Sequence, residues 1–294
     1  MLPGNRSCRS TRLWLSTCRN WLLLHLGACR FWQLDTHSAG GFPLQFPAGL
    51  DNAGAMDYHA HWETKYQGGA VRSYANPSIA LLAVATANAM KTTYRSAMQV
   101  KLFPKLGLNN TWLAVPKAKM KLYAQGYNAK NEPVRMEDDP FAEEAYGVRS
   151  SARDLLAFLE QNIEPHTGDK LLDLALRDVQ QPHFAVGSMM QGLVWESYRY
   201  PIDASVIVSG SAPGVSLKDQ KVTSTVPGLN SFPEAIINKT GGTGGFGTYL
   251  AFVPSRKIGV VILTNHANPT VERVSLGLQI LEIVDRGRHA TDDL

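Results

Sequence analysis

The run "NKTGGTGGFGTYLAFVP", Asn238 to Pro254, constrains the fold more than any other part of the chain. Its second half has the apolar pattern of a β-strand. Its first half places a lysine, two threonines and four glycines where a core strand would carry branched side chains. Glycine inside a strand removes bulk, so that another backbone or a ligand can approach closely. Lys239 then supplies a cation, Thr240 a hydroxyl and Gly242 a backbone N–H able to face a developing oxyanion. On the tripeptide Lys-Thr-Gly alone, a glycine-rich hairpin with a solvated lysine is an equally good account.

The surrounding pattern predicts an α/β protein of two lobes. "KIGVVILTN" is a second strand, joined to the first by a polar turn at Ser255–Lys257. A final helix from Thr270 puts Val271, Val274, Leu278 and Leu281 on one face, suited to docking on a sheet. Upstream the signals are helical. "YANPSIALLAVATANAM" has Asn76 as N-cap and Pro77 as first helical residue. "TYRSAMQVKLFPKLG" is a helix broken near Pro104 and ended by Gly107. "SSARDLLAFLEQNI" opens with Ser151 and Asp154 in capping-box spacing, and "KLLDLALRDVQ" follows as another helix. These readings give one domain over 34–290, with a helical lobe at about 74–185 and an α/β lobe at about 190–290. At 294 residues and 44% hydrophobic content the chain can bury such a core, with a ligand cleft between the lobes.

Residues 1–33 differ from the rest. They hold Cys8, Cys18 and Cys29, the chain's three cysteines, and Arg6, Arg9, Arg12, Arg19 and Arg30 without an acid. An odd cysteine count confined to one end makes no disulfide framework, and the spacing fits no zinc site. No metal and no cofactor is expected. The segment reads as a secretory signal ("WLLLHLGA", then "LGAC"), an amphipathic transit-like leader, or a displaced start or shifted reading frame; the last is the most economical. The formal charge of +4 comes largely from this segment, and elsewhere the charges alternate in sign, which excludes a nucleic-acid partner. No apolar run reaches the ~20 residues of a membrane span.

A second candidate constellation is Tyr74-Ala75-Asn76 at the mouth of a helix. An N-cap explains Asn76, and Tyr74 can be a half-buried aromatic, but a cation beside a tyrosine favours its phenolate. With this element added, the chain resembles the class C serine β-lactamases of the penicillin-recognising enzyme family. "SAGGFPLQFP", "YANPSIALL", "LFPKLGLNNTW", "AQGY", "EAYGV", "QGLVWE", "NKTGGTGGFGTYLAFVP" and "GVVILTN" carry the resemblance in the family's order, from about Leu34 to about Val284. It implies a β-lactamase/transpeptidase-like fold, an antiparallel sheet flanked by helices plus a mainly helical lobe.

The resemblance also implies site roles. Tyr74 is a general base, tuned by Lys239. Asn76 holds the substrate's amide side chain, and Gln45 and Tyr146 line that pocket. Thr240, Gly241, Gly242 and Thr243 form the strand edge that takes the substrate, Gly242 supplying an oxyanion N–H and Lys239 and Thr240 orienting the carboxylate. Arg273 lies near the carboxylate end, and Thr270 stands where the family more often has asparagine; its other reading is a helix N-cap. The implied partner is a β-lactam or a peptidoglycan stem peptide, met by a monomer in the periplasm.

One departure is central. The family's nucleophile is the serine of an S-x-x-K motif, and no serine of this chain has a lysine three residues on. Ser16-Thr17-Cys18-Arg19 offers an arginine, which stays charged at any working pH. The family's first strands and nucleophile helix have no counterpart, so the expectation is an N-terminally truncated member, inactive or severely impaired. The alternative is a module that binds β-lactams or peptidoglycan peptides without catalysis. Two decoys are set aside: His59-Ala60-His61-Trp62-Glu63 lacks a second ligand cluster, and Ser216-Leu217-Lys218 has the wrong spacing.

Overall fold

In the computed structural model, residues 31–136, 139–225 and 234–292 are described; the three cysteines and most of the leader lie outside them. Helices are α1 (Phe31–Asp35), α2 (Asn52–Ala60), α3 (Asn76–Ala89), α4 (Ala152–Ile163), α5 (Lys170–Asp178), α6 (Ala204–Ser211) and α7 (Thr270–Asp292). Strands β1 (Phe184–Val186), β2 (Met189–Gln191), β3 (Glu196–Arg199), β4 (Ser224–Thr225), β5 (Ala235–Thr243), β6 (Phe246–Val253) and β7 (Ile258–Thr264) form one sheet. Its order is β7-β6-β5-β3-β2-β1-β4, and every pairing is antiparallel.

Strand alternation sorts the sheet's two faces. Ile236, Tyr249, Ala251 and Val253 point to one face, where Val274, Leu278 and Leu281 of α7 and Ile207 of α6 close the core. Ile237, Leu250 and Phe252 point to the other and meet Leu159 of α4 and Trp195. The register pairs Lys239 with Leu250 and Thr240 with Tyr249. Lys239 therefore projects to the α4 face and Thr240 to the α7 face. The docking stripe expected for the final helix is present, with Val274, Leu278 and Leu281 buried and Val271 only partly so.

Several local readings change. Helix α3 starts at Asn76 itself; Ala75 occupies the cap position and no side chain caps the turn, so Asn76 is not the N-cap. The "TYRSAMQVKLFPKLG" segment passes from one α-turn (Tyr94–Ser96) to a π-helix (Ala97–Leu102) and a 3-10 turn (Pro104–Leu106), ending at Gly107 with φ 72°. Pro104 has no N–H to donate, which is why the regular ladder stops before it. Ser151 caps α4 as expected, accepting from the Asp154 amide at 3.2 Å. Asp154 does further work: its Oδ2 accepts from Asn110 N and Thr111 Oγ1, both at 2.7 Å, fastening the preceding loop to the helix. The sheet begins at Phe184, inside the span read as helical lobe, and α1 straddles the boundary placed at residue 33, with Gln33 and Leu34 buried.

Two stability outcomes follow from the core. The Tyr249 hydroxyl is buried with no hydrogen-bond partner among the described residues. Tyr249→Phe is expected to raise stability by about 1 kcal/mol in urea unfolding; a loss of similar size would reveal a partner. Asp35 is largely buried at the end of α1, and burial raises its carboxyl to about 7. The folded state then holds a proton that the unfolded chain has released, so stability falls as pH rises from about 4 to about 7. Asp35→Asn should flatten that slope in pH-dependent thermal melts; an unchanged slope would assign the titration elsewhere.

Candidate active site

The site begins where strand pairing stops. β3 pairs with β5 only along Ala235–Asn238. Beyond that point β5 continues through Thr243 with β6 on one side and, among the described residues, no strand on the other. Gly241 and Gly242 are exposed on this open edge. Its unpaired N–H and C=O groups can take an extended ligand as an added strand, and glycine lets that ligand come close.

Lys239 marks the inner end of the edge. Its Nζ donates to Tyr74 Oη at 3.3 Å and to the carbonyl of Thr240 at 2.9 Å, and it lies 4.9 Å from the centre of the Tyr74 ring. Burial pulls the ammonium pKa down, but attraction to Tyr74 and Glu196 and the hydrogen bond to Tyr74 outweigh it. The net direction is upward, so Lys239 stays a cation at neutral pH. It acts as a fixed charge and donor toward Tyr74.

Tyr74 sits in the extended link between the short strand Val71–Arg72 and α3. The Arg72 guanidinium lies 5.5 Å from the ring centre and the His37 imidazole 4.2 Å from it. His37 has φ 57°, an uncommon backbone state for a residue with a side chain. Its Nδ1 accepts from the Ala75 N–H at 3.3 Å, a contact that assigns the ring proton to Nε2. Burial, then Arg72 and Lys239, hold its pKa well below the usual range, so the imidazole is neutral.

Arg72 is the anchor beneath Tyr74. At 1% exposure, it donates from Nε to Gln191 Oε1 (2.7 Å) and from one terminal nitrogen to Glu196 Oε1 (2.6 Å). The other terminal nitrogen reaches the Ser216 carbonyl (3.1 Å) and Gln220 (3.3 Å). Asn238, the residue before Lys239, donates to the Glu196 carbonyl at 3.0 Å. One glutamate thus ties the segment before Tyr74 and the strand that carries Lys239 to β3. Arg72, His37 and Glu196 were missed in the sequence; the only signal was a lone arginine two residues before the Tyr-x-Asn tyrosine.

Asn76 is partly exposed, and its side chain makes no hydrogen bond within the described residues. Its backbone N–H donates to the Leu44 carbonyl at 3.0 Å, which brings the loop carrying the exposed Gln45 to the start of α3. The short helix before Tyr146 packs on α3, and the Tyr146 hydroxyl donates to Asp139 at 2.8 Å. Thr243 lies at the far end of β5, opposite Phe246.

Arg273 reaches the Gly241 end of β5 from the α7 side. It is buried, and donates to the Asn268 carbonyl (2.6 Å), the Gly241 carbonyl (3.3 Å) and the Thr270 hydroxyl (3.2 Å). It braces the β5 edge from behind, and the Thr270 hydroxyl is engaged by it. Of the decoys, His59 is buried and contacts the Pro77 carbonyl at 3.0 Å, whereas His61 is exposed on the Asp57 carbonyl at 2.9 Å. Ser216 Oγ donates back to the Ala212 carbonyl at 3.2 Å.

Comparison with known proteins agrees with the fold. A family model described as Beta-lactamase matches residues 28–285. A β-lactamase of Pseudomonas fluorescens is 40% identical over 254 residues, covering 86% of this chain and 71% of the relative. A solved β-lactamase/D-alanine carboxypeptidase of Pseudomonas syringae superposes with TM-score 0.84 at 41% identity, over 93% of this chain and 82% of that one. A solved class C β-lactamase mutant gives TM-score 0.85 at 30% identity, over 92% and 74%. The chain belongs to the serine β-lactamase family. Within it, the relatives are those of the class C β-lactamase and D-alanine carboxypeptidase type. The chain spans between 65% and 71% of the length of the first curated relatives it matches.

Glycine is required where Arg273 passes under the sheet: a Cβ at Gly247 would stand 2.4 Å from Arg273 Cζ. Gly247→Ala is expected to lower stability by about 1–3 kcal/mol, as overpacking does. Gly244→Ala, with open space around it, should leave the urea midpoint unchanged. Equal effects at both positions would show that Arg273 can move aside.

Proposed function

We propose that this site recognises β-lactams, or the peptidoglycan stem peptides they resemble, and that the 294-residue polypeptide is inactive or severely impaired in hydrolysing them. The observation that carries the reading is the Lys239 ammonium 3.3 Å from the Tyr74 hydroxyl, at the inner end of an open strand edge. In this reading Tyr74 is the general base. Lys239 and the Gly241–Thr243 edge receive the carboxylate end, Asn76 and Gln45 receive the amide side chain, and Tyr146 bounds its pocket. Arg273 supports the carboxylate end indirectly, through the Gly241 carbonyl and the position of β5.

Acyl transfer in this family needs a serine activated by a neighbouring base. No serine here precedes a lysine by three residues, and Tyr74 and Lys239 alone offer no group to form the acyl-enzyme. Loss of the nucleophile in a comparable hydrolase lowers turnover by about 10⁶. Retained recognition without turnover makes the chain a reversible binder, and the periplasm is the compartment where such ligands occur.

Purified protein should give no nitrocefin hydrolysis above a heat-killed control, and no penicilloyl adduct by mass spectrometry. Calorimetry should show saturable β-lactam binding that Lys239→Ala abolishes. Chelator-insensitive turnover or an adduct would overturn the inactivity. Absence of binding heat, or binding indifferent to Lys239→Ala, would overturn the recognition.

A further inference from the structure

Tyr74 lies in an extended stretch, where backbone amides two residues apart point to the same side. Those of Ser73 and Ala75, which bracket it, both donate to one residue. The Ser73 N–H meets the His37 carbonyl at 2.8 Å, and the Ala75 N–H meets His37 Nδ1 at 3.3 Å. The same imidazole packs on the Tyr74 ring, 4.2 Å between centres and tilted by 35°. Arg72 fastens the chain two residues upstream, but a chain held at one place still pivots about its own axis. Two amides on either side of Tyr74, held by a single residue, remove that rotation. The rotation matters, because the Lys239 ammonium is 3.3 Å from the Tyr74 hydroxyl and 4.9 Å from its ring centre. A small turn of Tyr74 exchanges a hydrogen bond for a contact with the ring face.

His37 is itself firmly placed. Its N–H donates to the Leu34 carbonyl at 3.2 Å, and that carbonyl also takes the Ser78 hydroxyl of α3 at 2.8 Å. On its other side the Ser38 carbonyl accepts from the Gly69 N–H at 2.8 Å, and the Thr36 and Ser38 hydroxyls pair at 2.8 Å. Leu34, Thr36, His37 and Ser38 are all buried. For packing alone, histidine is an unfavourable choice here. It takes a left-handed backbone, φ 57°, and its Nε2 is buried without a partner among the described residues. An aliphatic side chain would fill the space without an orphaned N–H. What the imidazole adds is an acceptor at Nδ1 and a flat face for Tyr74 at once. Burial and the charges of Arg72 and Lys239 keep the ring neutral, so that acceptor is available.

We infer that His37 is the positioning residue for Tyr74: by holding the amides on both sides of it, His37 sets the phenol opposite the Lys239 ammonium. This deepens the recognition reading of the same site, and only its effect on ligand affinity rests on that reading.

Tyrosine-ring 13C NMR of the full chain reads the contact without a ligand, the Tyr74 signal being assigned by its loss in Tyr74→Phe. In the otherwise unchanged chain, Lys239→Ala should shift that signal. With His37→Gly, which suits φ 57° and keeps the carbonyl for Ser73, Lys239→Ala should no longer shift it. His37→Gln should behave as His37→Gly, because its amide lies one bond too far out to replace Nδ1; it also fills more of the void that glycine leaves. His37→Asn should restore the response, since its amide oxygen can stand in for Nδ1 and asparagine tolerates a left-handed backbone. β-Lactam affinity by calorimetry should follow the same order, falling about tenfold in His37→Gly and recovering in His37→Asn. A role in packing alone would group His37→Asn with the other two. A Tyr74 signal that answers Lys239→Ala equally in every background, or that fails to recover in His37→Asn, would overturn the proposal. The expected order of signals with no binding heat would support the positioning role and remove the recognition reading instead.

Discussion

Everything in the site depends on one buried guanidinium. Arg72 links the segment that carries Tyr74 to β2 through Gln191, to β3 through Glu196, and to the Ser216–Gln220 stretch. A buried ion pair adds little stability compared with apolar packing, but removing one member leaves an uncompensated charge, at about 3–5 kcal/mol. Its consequence is geometric. With Arg72 held at three places, the Tyr74 ring is kept beside the middle of β5, where Lys239 meets it.

The second constraint is where β3 ends. Had it continued alongside Lys239–Thr243, the strand would be an ordinary interior member of the sheet with its amides paired. Its early stop leaves an open edge, of the kind most proteins protect. The glycines belong to the same design, but they serve different neighbours. Gly241 and Gly242 keep the open side accessible, whereas Gly247 makes room for Arg273 on the closed side. Arg273 then steadies the Gly241 carbonyl, so the helix behind the sheet holds the edge in front of it.

The sheet has a further edge at β7, whose Ile258–Thr264 segment carries neither charge nor proline. Helices cover both faces of this strand, yet no strand pairs with its outer side among the described residues. The exposed face of α7 lies on the same helix that packs against β7. The α/β lobe therefore has its least protected apolar surface where the last strand and the last helix meet.

Local chemistry was legible in the chain. Apolar alternation located β5, β6 and β7, Ser151 announced α4, and the Tyr-x-Asn and Lys-Thr-Gly elements supplied Tyr74 and Lys239, which the fold brings together. Each depends on neighbours within a few positions, which a linear sequence records. Asn76 was misread as a cap for the same reason: cap preference is read from neighbours, and only the position of the first helical turn shows that Ala75 takes that place. Tertiary structure alone decided that Arg72 and Glu196, 124 positions apart, share a buried contact. It also decided that Lys239 and Tyr74, 165 apart, touch, and that Arg273 braces a strand from behind. Those outcomes turn on where β3 stops and which face of β5 each side chain takes. They are properties of pairing register and lobe packing, set by burial summed over the whole core.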